Sequence, residues 1–403
     1  MSVAKHICLA FESEAHYQAC LQDTNRYRKF LNQMQHLHPE LFPTDWPHGF
    51  TYHDSYFSTK QKLSIRRVKL KATKEIYSVR PSFVMPYMSA RTQEVEKALY
   101  LLQFGVPLAA LVYVFGRSEM FWHRAYLQFG RPSLLGTTVK DPEKLPAHLV
   151  ADEKHTWIGG TKVYVPTTAA GGCFLGVSVV EKADTDSLQH GYGEFVAEAR
   201  QLSPDYQPQS VTTDGFPATR EAWRLLFPRI QLILCFLHAV LKIKDRCRGA
   251  VRKEVLDRVW NIYQAADKRQ FSQRARRVRE WIEASKFTAP VKEMVLKLCH
   301  RTSDYVMAYS FPSAARTTNG VDRLMNYQDR LLYAMRYFHH SQESARLSLR
   351  AMAMLWNFHP YSARLRRNDP ARHSPFHDLN GFYYHQNWLE NFLISSSLGG
   401  LKC

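Results

Sequence analysis

The clearest periodicity in the chain lies between about residues 145 and 240. Residues 148–158, 162–166 and 173–180 alternate apolar and polar positions, and Gly159-Gly160 and Gly171-Gly172 separate them. Alternation with period two, bounded by glycine pairs, predicts three consecutive strands joined by tight turns. Asp184 or Thr185 then opens a helical pattern reaching about Leu202. Two short apolar runs, 209–213 and 230–234, flank an amphipathic stretch from Ala218 to Phe227. They read as strand, helix, strand. Three antiparallel strands, helix, strand, helix, strand is the element order of a ribonuclease H-like α/β fold.

The flanking patterns differ. Residues 1–32 read as helical. Residues 60–80 alternate basic with apolar residues (Leu63, Ile65, Val68, Leu70, Ile76, Val79), predicting a strand pair. Its Arg66, Arg67, Lys69 and Lys71 would line one strand face, either toward phosphate or as a solvated edge that discourages pairing. Residues 91–130 read as three helices, with Thr92 as a cap of the first, Pro107 in the opening turn of the second, Gly116 as a turn and Ser118 as the cap of the third. Helix, short glycine turn, helix is the helix-turn-helix pattern, and it is also a plain three-helix packing unit. Read as helix-turn-helix, the last helix offers His123, Arg124 and Gln128 to a DNA groove, with Phe121 and Leu127 left for the core. Residues 239–311 are helical and basic, and residues 317–356 are again helical. After His359-Pro360 come arginines, then aromatics, then a flexible Ser/Gly end. These shifts divide the chain into 1–90, a 91–140 helix-turn-helix unit, a core in two parts (141–245 and 312–360) around a helical insertion at 246–311, and a tail from 361 to 403.

Composition narrows the function classes. With 403 residues, 45% of them hydrophobic, the chain can build two or three domains. Its formal charge is +18, the footprint of a nucleic-acid partner, with a ribosome-associated protein or an anionic-membrane binder as the blander readings. Residues 246–286 hold 12 Lys or Arg against 5 Asp or Glu, commonly the sign of a solvated helix surface but here, with the whole chain biased the same way, expected to face phosphate. Seven scattered cysteines without a C-x-x-C pair argue against a disulfide framework or zinc knuckle and for a reducing, cytoplasmic setting. Residues 1–10 lack the apolar stretch of a signal peptide, and the most apolar run, 104–115, is too short to span a bilayer.

The candidate chemistry sits at the predicted strand ends, where an α/β sheet gathers its functional groups. Asp152 lies in the first strand, where a carboxylate lowers strand propensity. Its neighbour Glu153 must point to the opposite face. Asp214 follows the 209–213 strand and precedes Gly215, a place where an Asp is also a common turn residue. Asp322 falls in Arg316-Thr317-Thr318-Asn319-Gly320-Val321-Asp322, where Thr318 or Asn319 would cap the next helix. An acid in a first helical turn also suits the macrodipole. Three acids assembled by one sheet can hold two Mg²⁺ ions for phosphodiester chemistry.

Taken together, Thr213-Asp214-Gly215, Cys235-x-x-His238, the helical insertion and the Arg316-to-Asp322 motif resemble the DDE/D transposases of the ribonuclease H-like superfamily, in particular their insertion-sequence and Mutator-like branch. The resemblance covers roughly residues 145–360 and rests on motifs and their order. It implies that Asp152, Asp214 and Asp322 hold two Mg²⁺ ions, with Mn²⁺ as a substitute. One ion would activate water or a DNA 3′-hydroxyl and the other would steady the leaving oxygen. It implies His238 beside the site, at the scissile phosphate or a bound water, or else as a core histidine, with Cys235 packing nearby. It implies double-stranded DNA as partner, at transposon ends and target, with a homodimer on the DNA and Arg66, Arg67, Lys69, Lys71, Arg124 and Arg316 among the contacts. The family usually carries Glu where this chain has Asp322, which leaves Asp329 and then Glu343 as alternatives for the third ligand. The same departure favours a second reading, a domesticated sequence-specific DNA-binding protein with a vestigial nuclease fold. A junction resolvase of the same fold fits less well, because the helix-turn-helix and the insertion point to sequence reading.

Overall fold

The computed structural model describes residues 5–339 and 341–401. The chain opens with strand β1 (His6–Leu9), helices α1 (Glu14–Gln22) and α2 (Thr24–Leu37), and strands β2 (Phe50–Ser58), β3 (Leu63–Leu70) and β4 (Ile76–Pro81). They form a four-stranded sheet in the order β1-β4-β3-β2, with β1 parallel to β4 and the other pairs antiparallel. The strand pair expected at 60–80 is β3 and β4. The helical reading of 1–32 fails at residues 6–9, and its first four residues lie outside the described ones. His-Ile-Cys-Leu is too short for its period to tell helix from strand. Pairing with β4 and full burial of Ile7 and Leu9 decide for strand.

Helices α3 (Thr92–Leu102), α4 (Leu108–Phe115) and α5 (Glu119–Gln128) follow, and the Ser118 hydroxyl caps α5 by accepting from Phe121 N at 3.2 Å. Arg91, not Thr92, occupies the cap position of α3. The buried Thr92 hydroxyl donates instead to Glu390 at 3.3 Å. α5 turns Trp122, Ala125 and Tyr126 inward, and the Tyr126 hydroxyl donates to Ser348 O at 2.8 Å. His123 and Gln128 are half-buried, as are Phe121 and Leu127, while Arg124 is exposed.

After α6 (Leu134–Thr138) comes a five-stranded sheet. Strands β5 (His148–Ile158), β6 (Thr161–Ala170) and β7 (Cys173–Val177) run antiparallel, helix α7 (Thr185–Leu202) crosses over, and β8 (Ser210–Thr213), α8 (Pro217–Leu226) and β9 (Gln231–Leu234) complete it. The order is β7-β6-β5-β8-β9, with β5, β8 and β9 parallel. Helices α9 (Phe236–Arg246), α10 (Gly249–Tyr263), α11 (Lys268–Ala284), α12 (Ala289–His300) and α13 (Thr302–Val306) share a core of their own, running from Leu234 to Tyr305. Helices α14 (Asn319–Ala334) and α15 (Gln342–Phe358) return to the sheet. The continuous helical pattern expected over 317–356 is thus broken between them.

Strand alternation places the layers. Leu149, Ala151 and Val211 pack with Phe195 of α7 and Trp223 of α8 on one face. Val163, Val165 and Phe174 pack with Leu324 and Leu331 of α14 and Leu349 of α15 on the other. That second cluster also includes residues of β1–β4 and α3–α5, so one core joins the N-terminal segments to the sheet. The protein is a mixed α/β structure with two mixed sheets. No helix among the described residues is long and apolar enough to cross a membrane.

The tail is the largest departure from expectation. After α16 (Ala363–Asn368) and α17 (Pro375–Asn380), helix α18 (Trp388–Ser395) and residues 396–400 are mostly buried, where the sequence reads as a flexible Ser/Gly end. Leu389 and Leu398 are fully enclosed, and the Ser397 hydroxyl accepts from Cys8 N at 2.9 Å and donates to Cys8 O at 3.1 Å. The small residues serve close approach: a Cβ on Gly136 would sit 1.7 Å from Gly400 O. The last two residues of the expected flexible end, 402 and 403, lie outside the described ones.

Candidate metal centre

The sheet register brings the first two acids together. β5 runs parallel to β8 with Val150 beside Thr212. Two residues further on, the same register sets Asp152 beside Asp214, just past the end of β8. Neighbouring strands lie about 4.8 Å apart, so the two carboxylates meet. β9 lies beside β8 with Leu234 next to Thr213, and Cys235 follows. Gly215 makes the turn after Asp214 at φ +90°, and a Cβ there would lie 2.3 Å from Leu234 Cδ1. Asp214 Oδ1 accepts from Phe216 N at 2.7 Å, which fixes the carboxylate over the turn.

The third acid arrives through long-range bonds. Thr212 Oγ1 donates to Ala315 O at 2.6 Å and Phe236 N to Arg316 O at 3.3 Å, tying the segment before α14 to the strand ends. Thr318 is fully buried there. Its backbone N–H points at Cys235 Sγ at 3.1 Å, and its hydroxyl lies 3.3 Å from Cys235 Sγ and 3.2 Å from His238 Nδ1. His238 Nδ1 is itself 3.4 Å from Cys235 Sγ. Thr318 holds the cap position expected from the sequence but makes no side-chain cap bond, because its hydroxyl is engaged by this pair. With Nδ1 occupied, Nε2 is the ring nitrogen left for the acids.

Two overlapping groups result. Asp152, His238 and Asp322 offer ligand atoms all within 4.8 Å of one another, and so do Asp152, Glu153 and Asp214. Asp152 belongs to both. Asp329 is elsewhere, paired with the buried Lys154. Glu343 is exposed and pairs with Arg346 at 3.5 Å. Glu153 points to the opposite face, as strand alternation requires, toward Tyr192 of α7 and Thr219 of α8. Its longer side chain keeps the carboxylate near Asp152, where Tyr192 donates to it and Thr219 Oγ1 donates at 2.5 Å. The only sequence signal for it was adjacency to Asp152, since Tyr192 and Thr219 come from two helices.

The electrostatics are those of crowded acids. Burial, then Glu153 and Asp214, push Asp152 up to about 7, against the pull of His238. Burial raises Glu153 and Asp322 as well, with Thr219 and Tyr192 opposing it at Glu153, and His238 and Thr318 opposing it at Asp322. The Cys235 contact raises His238 to about 9. Burial alone would lift the Cys235 thiol, but bonds from His238 and Thr318 outweigh it and the net direction is down. A carboxyl group whose pKa is raised on folding stabilises the fold below its unfolded value and loses that contribution as pH rises through the folded value. A histidine raised on folding loses its contribution in the same sense, as pH rises through its folded value. Through the raised acids and His238 the metal-free site should therefore lose stabilising free energy as pH rises between about 4 and 9, with the lowered Cys235 thiol acting in the opposite sense. Hard oxygen donors of this kind suit Mg²⁺ or Mn²⁺, whose charge would relieve the repulsion. The expected result is a Tm gain on adding Mn²⁺ that is larger at pH 8 than at pH 5, measured by thermal unfolding with EDTA controls. An equal gain at both values would contradict it.

Thr318 supports two groups of the site, His238 and Asp322, and outer partners of this kind typically carry 10–100-fold in metal affinity. Thr318→Val keeps shape and removes the hydroxyl. It should weaken Mn²⁺ binding by about 10-fold or more in calorimetry, with Thr318→Ser restoring most of it.

The expected DNA contacts are scattered. Arg66 donates to Leu21 O at 2.7 Å and lies over the Tyr27 and Tyr52 rings, and Arg67 pairs with Asp54. Lys69 is half-buried and Lys71 exposed, so β3 does not present a uniform basic face. Arg316 is held between the Tyr263 and Tyr309 rings at 4.4 and 4.6 Å and donates to Tyr263 O at 2.8 Å, anchoring the helical insertion. The site joins β5, β8, the start of α9 and the start of α14 around one shared aspartate. No protein-family model and no curated protein matches this chain.

Proposed function

We propose that the chain is a metal-dependent DNA transposase with a ribonuclease H-like core interrupted by a helical insertion. The observation that carries this reading is Asp152, shared by two groups of possible ligands that include Asp214, from a neighbouring strand end, and Asp322, from a helix far along the chain. The strand order β7-β6-β5-β8-β9 supports the core assignment. The excess of 18 positive charges supports a polyanionic substrate.

In this reading Asp152, Asp214 and Asp322 hold two Mg²⁺ ions, with Glu153 buttressing Asp152 and Asp214. Bound there, the ions supply the positive charge that makes an attacking hydroxyl acidic and steadies a departing phosphate oxygen. His238 contacts the scissile phosphate through Nε2, and Thr318 and Cys235 hold its ring at Nδ1. Helices α4 and α5, joined through Gly116, form the helix-turn-helix that reads transposon ends as a homodimer on DNA, with exposed Arg124 at the groove. The test is cleavage of DNA carrying the element's ends. Strand cutting that requires Mg²⁺ or Mn²⁺ and stops in EDTA supports the reading; end binding without any metal-dependent cutting replaces it with the DNA-binding alternative.

A further inference from the structure

A second surface lies along β5, away from the acids. Trp157 is 39% exposed near the end of that strand, opposite Lys162 in the β5–β6 hairpin. Lys162 lies over the Tyr164 ring at 5.2 Å. The free edge of β5 is met by the segment after α14, where Phe338 N donates to Trp157 O at 3.2 Å and Gly159 N to Phe338 O at 2.8 Å. That bridge sets Tyr337 one position from Phe338, alongside Trp157. Arg336 and Tyr337 both take left-handed backbone angles, φ 55° and 65°. Two adjacent non-glycine residues in that region are strained, and strain of this kind marks a segment held for a purpose other than stability. The strained turn leaves Tyr337 38% exposed. Neither 155–164 nor 330–339 contains an acid.

Exposed aromatic rings with unopposed cations match one ligand chemistry: bases stacked on the rings and phosphates drawn to the charges. Duplex DNA hides its base faces, so the ligand must be unpaired. We propose that Trp157 and Tyr337, with Lys162 and Arg336, form a stacking platform for unpaired nucleotides of a bound DNA strand. Five strand residues separate Asp152 from Trp157, roughly 17 Å, and this odd separation sets the two side chains on opposite faces of β5, so the platform is distinct from the acid cluster. This inference rests on the transposase reading for the identity of the strand.

The test is anisotropy binding in EDTA, with the full chain and two labelled DNAs of equal length in base pairs: a blunt duplex, and the same duplex with a single-stranded extension at either end. Wild type should prefer an extended form. Trp157→Ala and Tyr337→Ala should each reduce that preference by about 5- to 150-fold, the range for one stacked base. Blunt-duplex affinity should stay within twofold, and Trp157→Phe should retain most of the preference. Equal losses on both DNAs would assign the face to duplex backbone. A changed sedimentation coefficient of the free protein with unchanged DNA binding would assign it to a contact between copies. Either result overturns the proposal, as does a wild type without preference. A wild type that binds and cuts blunt ends but lacks the preference sinks only this inference. One that binds neither DNA sinks the transposase reading with it.

Discussion

Asp152→Asn and Asp214→Asn should each reduce metal-dependent DNA cleavage by about 1000-fold or more, while DNA binding stays close to wild type. An asparagine fills the same space and keeps one carbonyl oxygen, but it brings no charge to balance a divalent ion. Loss of several kcal/mol of charge stabilisation corresponds to three or more powers of ten in rate. Asp152 is the more exacting case because both ligand groups include it. The same substitution has an opposite effect on the empty protein. Burial beside Glu153 and Asp214 holds the Asp152 carboxyl up at about 7, so its ionised form opposes folding at neutral pH. Asp152→Asn removes that charge. Its Tm without metal should equal or exceed that of wild type, and the gain on adding Mn²⁺ should largely vanish. Thermal unfolding and cleavage measured on one preparation separate a lost ligand from a damaged fold. Cleavage that persists in EDTA, in wild type or either variant, would remove the two-metal reading.

The second large effect concerns the third acid. Asp322→Ala should eliminate cleavage, whereas Asp322→Glu should keep part of it because a carboxylate remains. The shorter side chain is matched to its surroundings, since Thr318 ties the first turn of α14 to Cys235 and His238. A longer acid on that fixed turn overshoots by one methylene. Asp329→Ala should behave differently. It leaves the buried Lys154 ammonium without its partner, but Asp329 itself is 61% exposed. The expected cost is about 1–2 kcal/mol of stability after allowance for solvent screening, with cleavage retained at permissive temperature. A dead Asp329→Ala beside an active Asp322→Ala would reverse the assignment.

The β-strands of the five-stranded sheet were legible because alternation and glycine pairs are local signals. The Asp184 start of α7, the Ser118 cap of α5 and the strand pair at 60–80 were legible for the same reason. Asp152, Asp214, Asp322 and His238 were singled out through strand ends and motif spacing, and the structure places them in two overlapping groups that share Asp152. The expected basic contacts fared differently. Charge shows that a residue is a cation but not what it touches, and Arg66, Arg67 and Arg316 are engaged within the protein itself.

Sequence by itself determined the order of strands and helices between about residues 145 and 240, the basic character and the residue types that could meet at the strand ends. These follow from periodicity, turn chemistry and net charge, each of which acts over a few residues or over the whole chain. Tertiary structure decided what depends on partners distant in sequence. Residues 6–9 became a strand because β4 offers an edge, and the Ser/Gly tail became buried because Cys8, Gly136 and Thr137 leave room only for small residues. Glu153 joined the acids because Tyr192 and Thr219, from two different helices, hold its carboxylate. The motif favoured Asp322 with Asp329 in reserve, and the docking of α14 sets Asp322 within reach of Asp152 and His238 while Asp329 pairs with Lys154.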